Sequence, residues 1–433
     1  MCWYVSSRPV GTPARGKVHL LSLSLRPAHR TRRASWALVD QALTSVGNLL
    51  LAVVVARRAT ASQLGALGVV LAVYVLALVV ARAYCGEPLL LGLAEEHEPP
   101  GGPTTTCSAA AGAGASVGVA LAFPSAAVGL VFGGSVAEGT AVLALALPFL
   151  VLQDTYRLWF FSREEPHKAA ALDALWLVLQ IVSFYSLVHF RAAGLNSLLL
   201  AWGAAAAASS LLGRVMTAQP LRAQLGRHFL RGHADKARLL AADSLLALGP
   251  TQVALILVAA VVALKIAGTL RAGLIVLGPV SVVAQSISYS FIPPMRRRIA
   301  KGQSITRPCA LVALLMAGIG ALWVLLVAVS PIWLGVLLGR GLSTAQPALF
   351  PLGIYAILNA ASLGPMLGMR VLLALKSALV VRCSLAPVGI LAPVVGGLLA
   401  GAPGAGWGCA VGGAATLIGW TVTYRATVRA QTA

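Results

Sequence analysis

About a dozen long apolar runs, separated by short polar segments, set the pattern of this 433-residue chain. Each run holds roughly 20 residues, which is the length that an α-helix needs to cross the hydrocarbon core of a bilayer. The runs lie near residues 36–56, 64–86, 107–133, 140–161, 169–190, 194–216, 239–263, 271–293, 309–330, 347–369, 377–400 and 404–424. The short alternating segments of barrel strands are missing from this pattern. The sequence therefore predicts an all-α integral membrane protein with about 12 transmembrane helices.

Charge confirms the class and adds an orientation. The chain is 58% hydrophobic and 10% charged, and 27 of its 33 lysines and arginines fall in the segments that share a side with the N-terminus. Cytoplasmic segments of membrane proteins carry such an excess. We therefore predict a multi-pass protein of the cytoplasmic membrane with both termini in the cytoplasm, and we call the two sides the predicted inner and outer faces. The net charge of +21 then faces anionic lipid, so no nucleic-acid partner is expected.

The chain divides into two halves of six spans each. Asp40-Gln41 near the inner end of span 1 and Asp243-Ser244 near that of span 7 suggest a repeat, and an even number of spans gives both halves the same orientation. We predict two six-helix bundles related by a pseudo-twofold axis. The predicted units are a disordered basic cytoplasmic extension (1–34), an N-terminal bundle (35–216), a basic cytoplasmic linker (217–238), a C-terminal bundle (239–425) and a cytoplasmic tail (426–433).

Polar residues inside two spans form stripes. Asp40, Thr44 and Asn48 recur every four residues in span 1, which places them on one helix face about three turns long. Span 8 carries the stripe Ser281, Gln285 and Tyr289. A single polar residue in a membrane helix usually forms a local hydrogen bond with its own backbone or with a neighbouring helix. Two polar stripes together favour a hydrated cavity between the bundles.

Charged residues near the spans open two alternatives. The candidates are Arg82, Glu87, Asp154, Arg157, Asp173, Asp243 and Arg271. Asp154 and Arg157 stand three residues apart, close enough to pair on one helix face. One interpretation is an interfacial ion-pair cluster that locks helix ends. The other is a cationic entrance in which Arg82 and Arg157 bind phosphate through their planar guanidinium groups while paired acids hold them in place. Arg271 opens span 8 from the outer side and is either a loop charge or the phosphate ligand on the exit side. Asp40 and Asp243 are the candidate carriers of a coupling ion or proton.

Signatures of soluble enzymes are missing from the sequence. It contains no Walker loop, no dinucleotide-binding glycine motif after a strand and no HExxH. Its six cysteines are scattered without metal-binding spacing, and the polar segments are too short to fold as a catalytic domain. We expect neither an enzyme nor a bound cofactor or metal.

Several stretches carry a resemblance to a known family. They are WALVDQALTS (36–45), EPLL (87–90), LQDTYR (152–157), DALW (173–176), GTLRA (268–272) and LGP (277–279). With these stretches the chain resembles the polysaccharide exporters and O-antigen flippase-like proteins of the multidrug/oligosaccharidyl-lipid/polysaccharide exporter superfamily over about residues 35 to 425. The resemblance implies two bundles forming a V that opens alternately to either side, and a cargo of lipid-linked saccharide or a related polyprenyl-phosphate glycan.

The sequence thus predicts a flippase for cell-envelope polysaccharide biosynthesis. Its expected partners are the lipid-linked glycan, membrane lipids and a glycan polymerase or glycosyltransferases. One alternative is a cation-coupled multidrug antiporter of the same superfamily, which would favour cavity acids over cavity arginines. Others are a membrane-embedded glycan polymerase, for which the predicted outer loops are short, and a scaffold of a glycan-assembly complex.

Overall fold

The computed structural model describes residues 27–91, 102–329, 340–372 and 374–432. Within these ranges the chain is helical and contains no strand. The helices are α1 (Pro27–Arg58), α2 (Ala61–Leu90), α3 (Gly102–Phe132), α4 (Gly134–Ser162), α5 (Pro166–His189), α6 (Leu195–Thr217), α7 (Ala223–Val262), α8 (Leu264–Ala300), α9 (Thr306–Val329), α10 (Arg340–Ala361, continued by Leu363–Val371), α11 (375–399) and α12 (402–432).

Each helix contains one predicted span, which confirms the all-α membrane fold. Eleven segments are long and apolar enough to cross a membrane, and the last of them, Lys376–Ala430, contains two spans. α11 and α12 meet at a kink where Ala400 and Gly401 leave helical geometry, with Gly401 at φ +61°. A glycine adopts this left-handed conformation without steric cost, so the kink separates two spans as the sequence predicts.

Two polar segments differ from their predicted description. Pro27 occupies the first helical position, where its fixed φ suits a helix start, and no further Pro or Gly follows until Gly47. Residues 27–34 are therefore helical, whereas residues 1–26 of the predicted extension lie outside the described ranges. The predicted linker (217–238) is helical from Ala223 onward, where it forms the first part of α7.

The two halves repeat one packing pattern. In the first half α1 packs on α5, α3 on α4, and α4 on α6. In the second half α9 packs on α10, Arg382 of α11 bonds Asp243 of α7, and Gly406 of α12 lies against Pro351 of α10. Helices six positions apart in the chain thus have equivalent neighbours, as expected for two bundles of the same internal arrangement.

The halves meet where α2 crosses α8 near the predicted outer face. A Cβ on Gly268 would lie 1.9 Å from the carbonyl oxygen of Ala61, and one on Gly65 would lie 2.0 Å from that of Leu264. These contacts leave no room for a side chain. The two backbones approach closely because both positions are glycine.

Replacing Gly268 by alanine is expected to lower the free energy of unfolding by about 1–3 kcal/mol, because an inserted methyl group must push α2 and α8 apart. Gly278 is the matched control in the same helix, since its Cβ would meet no atom within 4 Å, and alanine there removes only backbone freedom. Thermal unfolding of both variants in detergent measures the difference. Equal unfolding temperatures would contradict the close crossing.

Candidate functional site: a buried charge cluster and an unpaired arginine

A cluster of charged side chains lies inside the N-terminal bundle, with Arg157 of α4 at its centre. The Arg157 Nε lies 3.0 Å from Asp40 Oδ2 and 3.2 Å from Asp173 Oδ2, and Nη2 also donates to Asp40. Its Nη1 lies 3.5 Å from Asp154 Oδ1, so the predicted pair three residues apart is confirmed. Three carboxylates from three helices therefore surround one guanidinium, whose side chain is only 10% exposed.

Among the described residues, hydrogen bonds hold the second arginine of the cluster on one side only. Arg82 Nε donates to Asp154 Oδ2 at 2.8 Å and Nη2 donates to Oδ1 at 2.7 Å, which is the bidentate arrangement that favours arginine. The Arg82 side chain remains 38% exposed. It begins a π-helical turn in α2, Arg82–Gly86, a local widening that is frequent at functional sites.

Asp173 is held by neutral donors as well as by Arg157. Thr44 of α1 donates its hydroxyl to Asp173 Oδ2, and Gln153 Nε2 donates to Oδ1 at 2.8 Å. Gln153 was not among the predicted site residues. A polar amide next to Asp154 in an apolar span was the available signal, because such residues in membrane helices need a partner.

The cluster therefore contains one acid more than bases. Asp40, Asp154 and Asp173 face Arg82 and Arg157, and the three acids are buried. Burial of charge is tolerated only where partners and hydrogen bonds compensate it. The cluster joins α1, α2, α4 and α5, so it both fixes the inner half of this bundle and leaves one carboxyl without a cationic partner of its own.

A narrow cleft between α1 and α5 continues from the cluster toward the predicted outer face. It is lined by Leu43, Thr44, Gly47, Asn48, Asp173, Trp176, Leu177 and Gln180. In one orientation the Gln180 amide donates to the main-chain oxygen of Gly47 at 3.1 Å and accepts from Trp176 Nε1 at 3.0 Å. Asn48 is exposed, so the polar stripe predicted for span 1 extends from a buried to an open environment.

Arg271 of α8 has a different environment from the other two arginines. Its side chain packs against α2, where a Cβ on Gly68 would lie 3.4 Å from the Arg271 Cβ. The Arg271 Nε is buried without a hydrogen-bond partner, and no carboxylate among the described residues pairs with this guanidinium. An unpaired buried cation is costly, so arginines inside membrane proteins usually have partners or mark a ligand path.

The remaining candidates form none of the ion pairs around Arg157 described above, although Glu87 lies near enough to Arg82 to interact with its charge. Asp243 Oδ1 accepts from Arg382 Nη1 at 3.0 Å, and the carboxylate of Glu87 at the end of α2 bonds Ser244 of α7. Ser281 is exposed and donates to its own helix at Gly278 O, 2.6 Å away, which is the local role expected of a lone serine. The side chains of Gln285 and Tyr289, although these residues belong to α8, lie outside the described ones.

Comparison with known proteins rests on structure alone. No protein-family model matches the chain, and no curated protein sequence matches it. A lipid II flippase, MurJ, in an inward closed conformation is similar with a TM-score of 0.69 at 10% identity, covering 91% of this chain and 87% of MurJ.

Two multidrug transporters are also similar. An inward-facing MATE transporter of the MOP superfamily has a TM-score of 0.64 at 12% identity, covering 91% of this chain and 98% of that one. A MATE transporter in a bent conformation has a TM-score of 0.57 at 13% identity, covering 93% and 95%. The described chain has the all-helical fold shared by these MOP superfamily transporters.

Proposed function

We propose that this protein is an alternating-access transporter that flips a lipid-linked saccharide across the cytoplasmic membrane. The observation that carries the proposal is Arg271, a guanidinium packed between the two halves with no counter-ion among the described residues. The phosphate of a polyprenyl-phosphate glycan is the charge that such a group would bind. Its lipid tail can stay in the bilayer while the polar head crosses between the bundles.

The proposal gives different roles to the three predicted phosphate ligands, supported by their different surroundings. Arg157 directs its donors to three carboxylates, so we assign it a positioning role within the N-terminal bundle. Arg82 uses one edge on Asp154 and remains partly exposed, which leaves it able to receive a phosphate at the predicted inner face. Arg271 is then the second ligand on the path.

The spacing of these two arginines suits a stepwise passage. Arg271 packs at the level of Gly68 on α2, and Gly68 and Arg82 are 14 residues apart on that helix, which corresponds to about 21 Å at 1.5 Å per residue. This covers most of a hydrocarbon core of about 30 Å. A phosphate that leaves Arg82 would therefore meet Arg271 nearer the predicted outer face.

A coupling site fits the surplus carboxyl of the buried cluster. Asp40 and Asp173 share Arg157, so one proton or one small cation would balance the three acids and two bases. Asp243 is a weaker candidate than Asp40, because Arg382 pairs with Asp243 alone among the described residues, whereas Asp40 shares Arg157 with two other carboxylates. Loading and release of this charge would bias the packing of α1 against α5.

A cation-coupled multidrug antiporter is the second candidate. The same surplus of acid favours it, because a cationic drug needs a carboxylate in its cavity. Arg271 argues against it, since an unpaired guanidinium between the bundles repels cationic cargo. A glycan polymerase or an assembly scaffold has no comparable support from the described residues, although a polymerase or glycosyltransferases remain proposed partners that supply or consume the glycan.

The proposal predicts a defined sidedness defect. In a strain that lacks the gene, lipid-linked glycan should accumulate facing the cytoplasm, where an impermeant sugar-modifying enzyme added to intact spheroplasts cannot reach it. The wild-type gene should restore access, whereas Arg82→Ala should not. The matched control Arg163→Ala alters an exposed arginine beyond the end of α4 and should restore access fully.

One outcome of this measurement would reject the flippase, and another would reject the role of Arg82. An unchanged glycan pool together with altered sensitivity to cationic compounds would assign the protein to the antiporter class. Full access with Arg82→Ala, at a membrane level equal to that of the wild type, would remove Arg82 from the phosphate path. The same spheroplasts test the proposed cytoplasmic placement of both termini by protease access.

A further inference from the structure

A second cavity lies between α1 and α5, nearer to the predicted outer face than the charge cluster. It has a volume of about 880 Å³ and is open on one side. Its lining is Leu50, Val54, Arg57, Arg58, Ile181, Phe184, Tyr185, Val188 and Ala193. We call this cavity the outer groove. Its volume lies within the usual range of ligand sites, about 300–1,000 Å³.

The charged end of the outer groove is formed by two adjacent arginines. Arg57 and Arg58 are the last residues of α1, both are exposed, and neither forms an ion pair with any of the described residues. The acid Glu138 at the same face accepts instead from Asn196 Nδ2 at 2.6 Å. Two guanidinium groups without an ion pair among the described residues therefore lie at the end of α1, beside an apolar wall.

The apolar wall indicates which kind of anion fits. Leu50, Val54, Ile181 and Val188 contribute only hydrocarbon to it. The polar lining is limited to the arginines and Tyr185, whose side chain is 71% exposed, and such a tyrosine is typical of the interfacial aromatic belt. Among the described residues, no amide or carboxylate lines the outer groove to bind sugar hydroxyls. The occupant should thus combine a phosphate with a long hydrocarbon chain and need no glycan contact.

We propose that the outer groove binds an anionic phospholipid from the leaflet at the predicted outer face. The phosphodiester binds Arg57 and Arg58, whose forked donors suit phosphate oxygens. One acyl chain lies along Val54 and Ile181 between α1 and α5. This site is separate from the phosphate path assigned to Arg82 and Arg271, and it stabilises the helix pair that carries the charge cluster.

Phosphatidylglycerol binding to the detergent-purified protein, followed by native mass spectrometry, tests this site. Each arginine near an anionic headgroup contributes about fivefold to binding, so Arg57→Ala with Arg58→Ala should weaken binding about 25-fold. Arg297→Ala with Arg298→Ala is the matched control, because this exposed pair also lies in the last turn of a long helix and does not line the outer groove. Binding to that control should equal binding to the wild type.

A third variant distinguishes binding inside the outer groove from non-specific attraction of the lipid to the two positive charges. Ile181→Trp keeps both arginines but places a larger side chain at a half-exposed position of the apolar wall. The indole would occupy the space proposed for the acyl chain, so this variant should also weaken phosphatidylglycerol binding several-fold. Equal losses in both arginine pairs, no preference for phosphatidylglycerol over phosphatidylcholine, or unchanged binding to Ile181→Trp would overturn the proposal. Displacement of phosphatidylglycerol by an equal concentration of polyprenyl diphosphate would overturn it as well and assign the outer groove to the cargo.

Discussion

Replacing Arg157 by methionine is expected to lower the free energy of unfolding by about 3–5 kcal/mol, the cost of breaking a buried ion pair by removing one partner. Methionine has a similar length but no charge, so Asp40, Asp154 and Asp173 would lose the cation that all three contact. Solvent cannot replace it, because the side chain is only 10% exposed. Thermal unfolding in detergent, with the yield of folded protein, measures the effect.

Two further variants make this result specific to the cluster. Arg163→Met removes an exposed arginine just beyond the same helix and should change stability by no more than about 0.5 kcal/mol. Adding Asp40→Asn to Arg157→Met should recover part of the loss, because one uncompensated carboxylate disappears. If Arg157→Met unfolded at the same temperature as Arg163→Met, the central role of Arg157 would be refuted.

Most of the fold could be predicted from the sequence, because the bilayer allows few backbone structures to cross it. Runs of about 20 apolar residues can cross it only as helices, so the spans could be located within a few residues. The differences arise where this constraint ends. The helical residues 27–34 and the helix from Ala223 lie in polar segments, whose conformation depends on local capping and packing rather than on hydropathy.

The candidate site was predictable only within single helices. The Asp154–Arg157 pair follows from helical spacing, and the structure contains it. The contacts of Arg157 with Asp40 and Asp173 join residues on different helices, 117 and 16 positions apart in the chain. They depend on how each helix is rotated about its axis, which interior packing determines. For the same reason, sequence reasoning named Arg82 as a phosphate ligand but did not assign its partner.

Arg271 shows that a missing contact is as difficult to predict from sequence as a contact between helices. Its position at the start of an apolar span was visible in the sequence, but its lack of a counter-ion among the described residues was not, because an absent contact depends on every neighbouring helix. The residue it packs against, Gly68, lies in the other half of the chain. The role proposed for Arg271 therefore depends on packing between the halves, and it gives the second large expected effect.

Replacing Arg271 by methionine is expected to slow flipping strongly while leaving the protein at least as stable as the wild type. The buried Nε has no hydrogen-bond partner, so its removal relieves a desolvation penalty of about 1–3 kcal/mol. Loss of a charge-paired phosphate contact costs about 2–5 kcal/mol, which predicts transport at least about 30-fold slower. Flipping of a fluorescent polyprenyl-phosphate saccharide in proteoliposomes, alongside thermal unfolding, measures both quantities.

The signs of these two effects distinguish a ligand-binding arginine from a structural one. Arg157→Met should lose stability, whereas Arg271→Met should keep it and lose transport. Arg271→Lys should retain part of the transport, because the charge remains without the bidentate fork. Lys265→Met, at an exposed position near the start of the same helix, should leave both quantities unchanged. Destabilisation by Arg271→Met with transport proportional to folded protein would instead make Arg271 a structural residue, and the phosphate path would lose its central ligand.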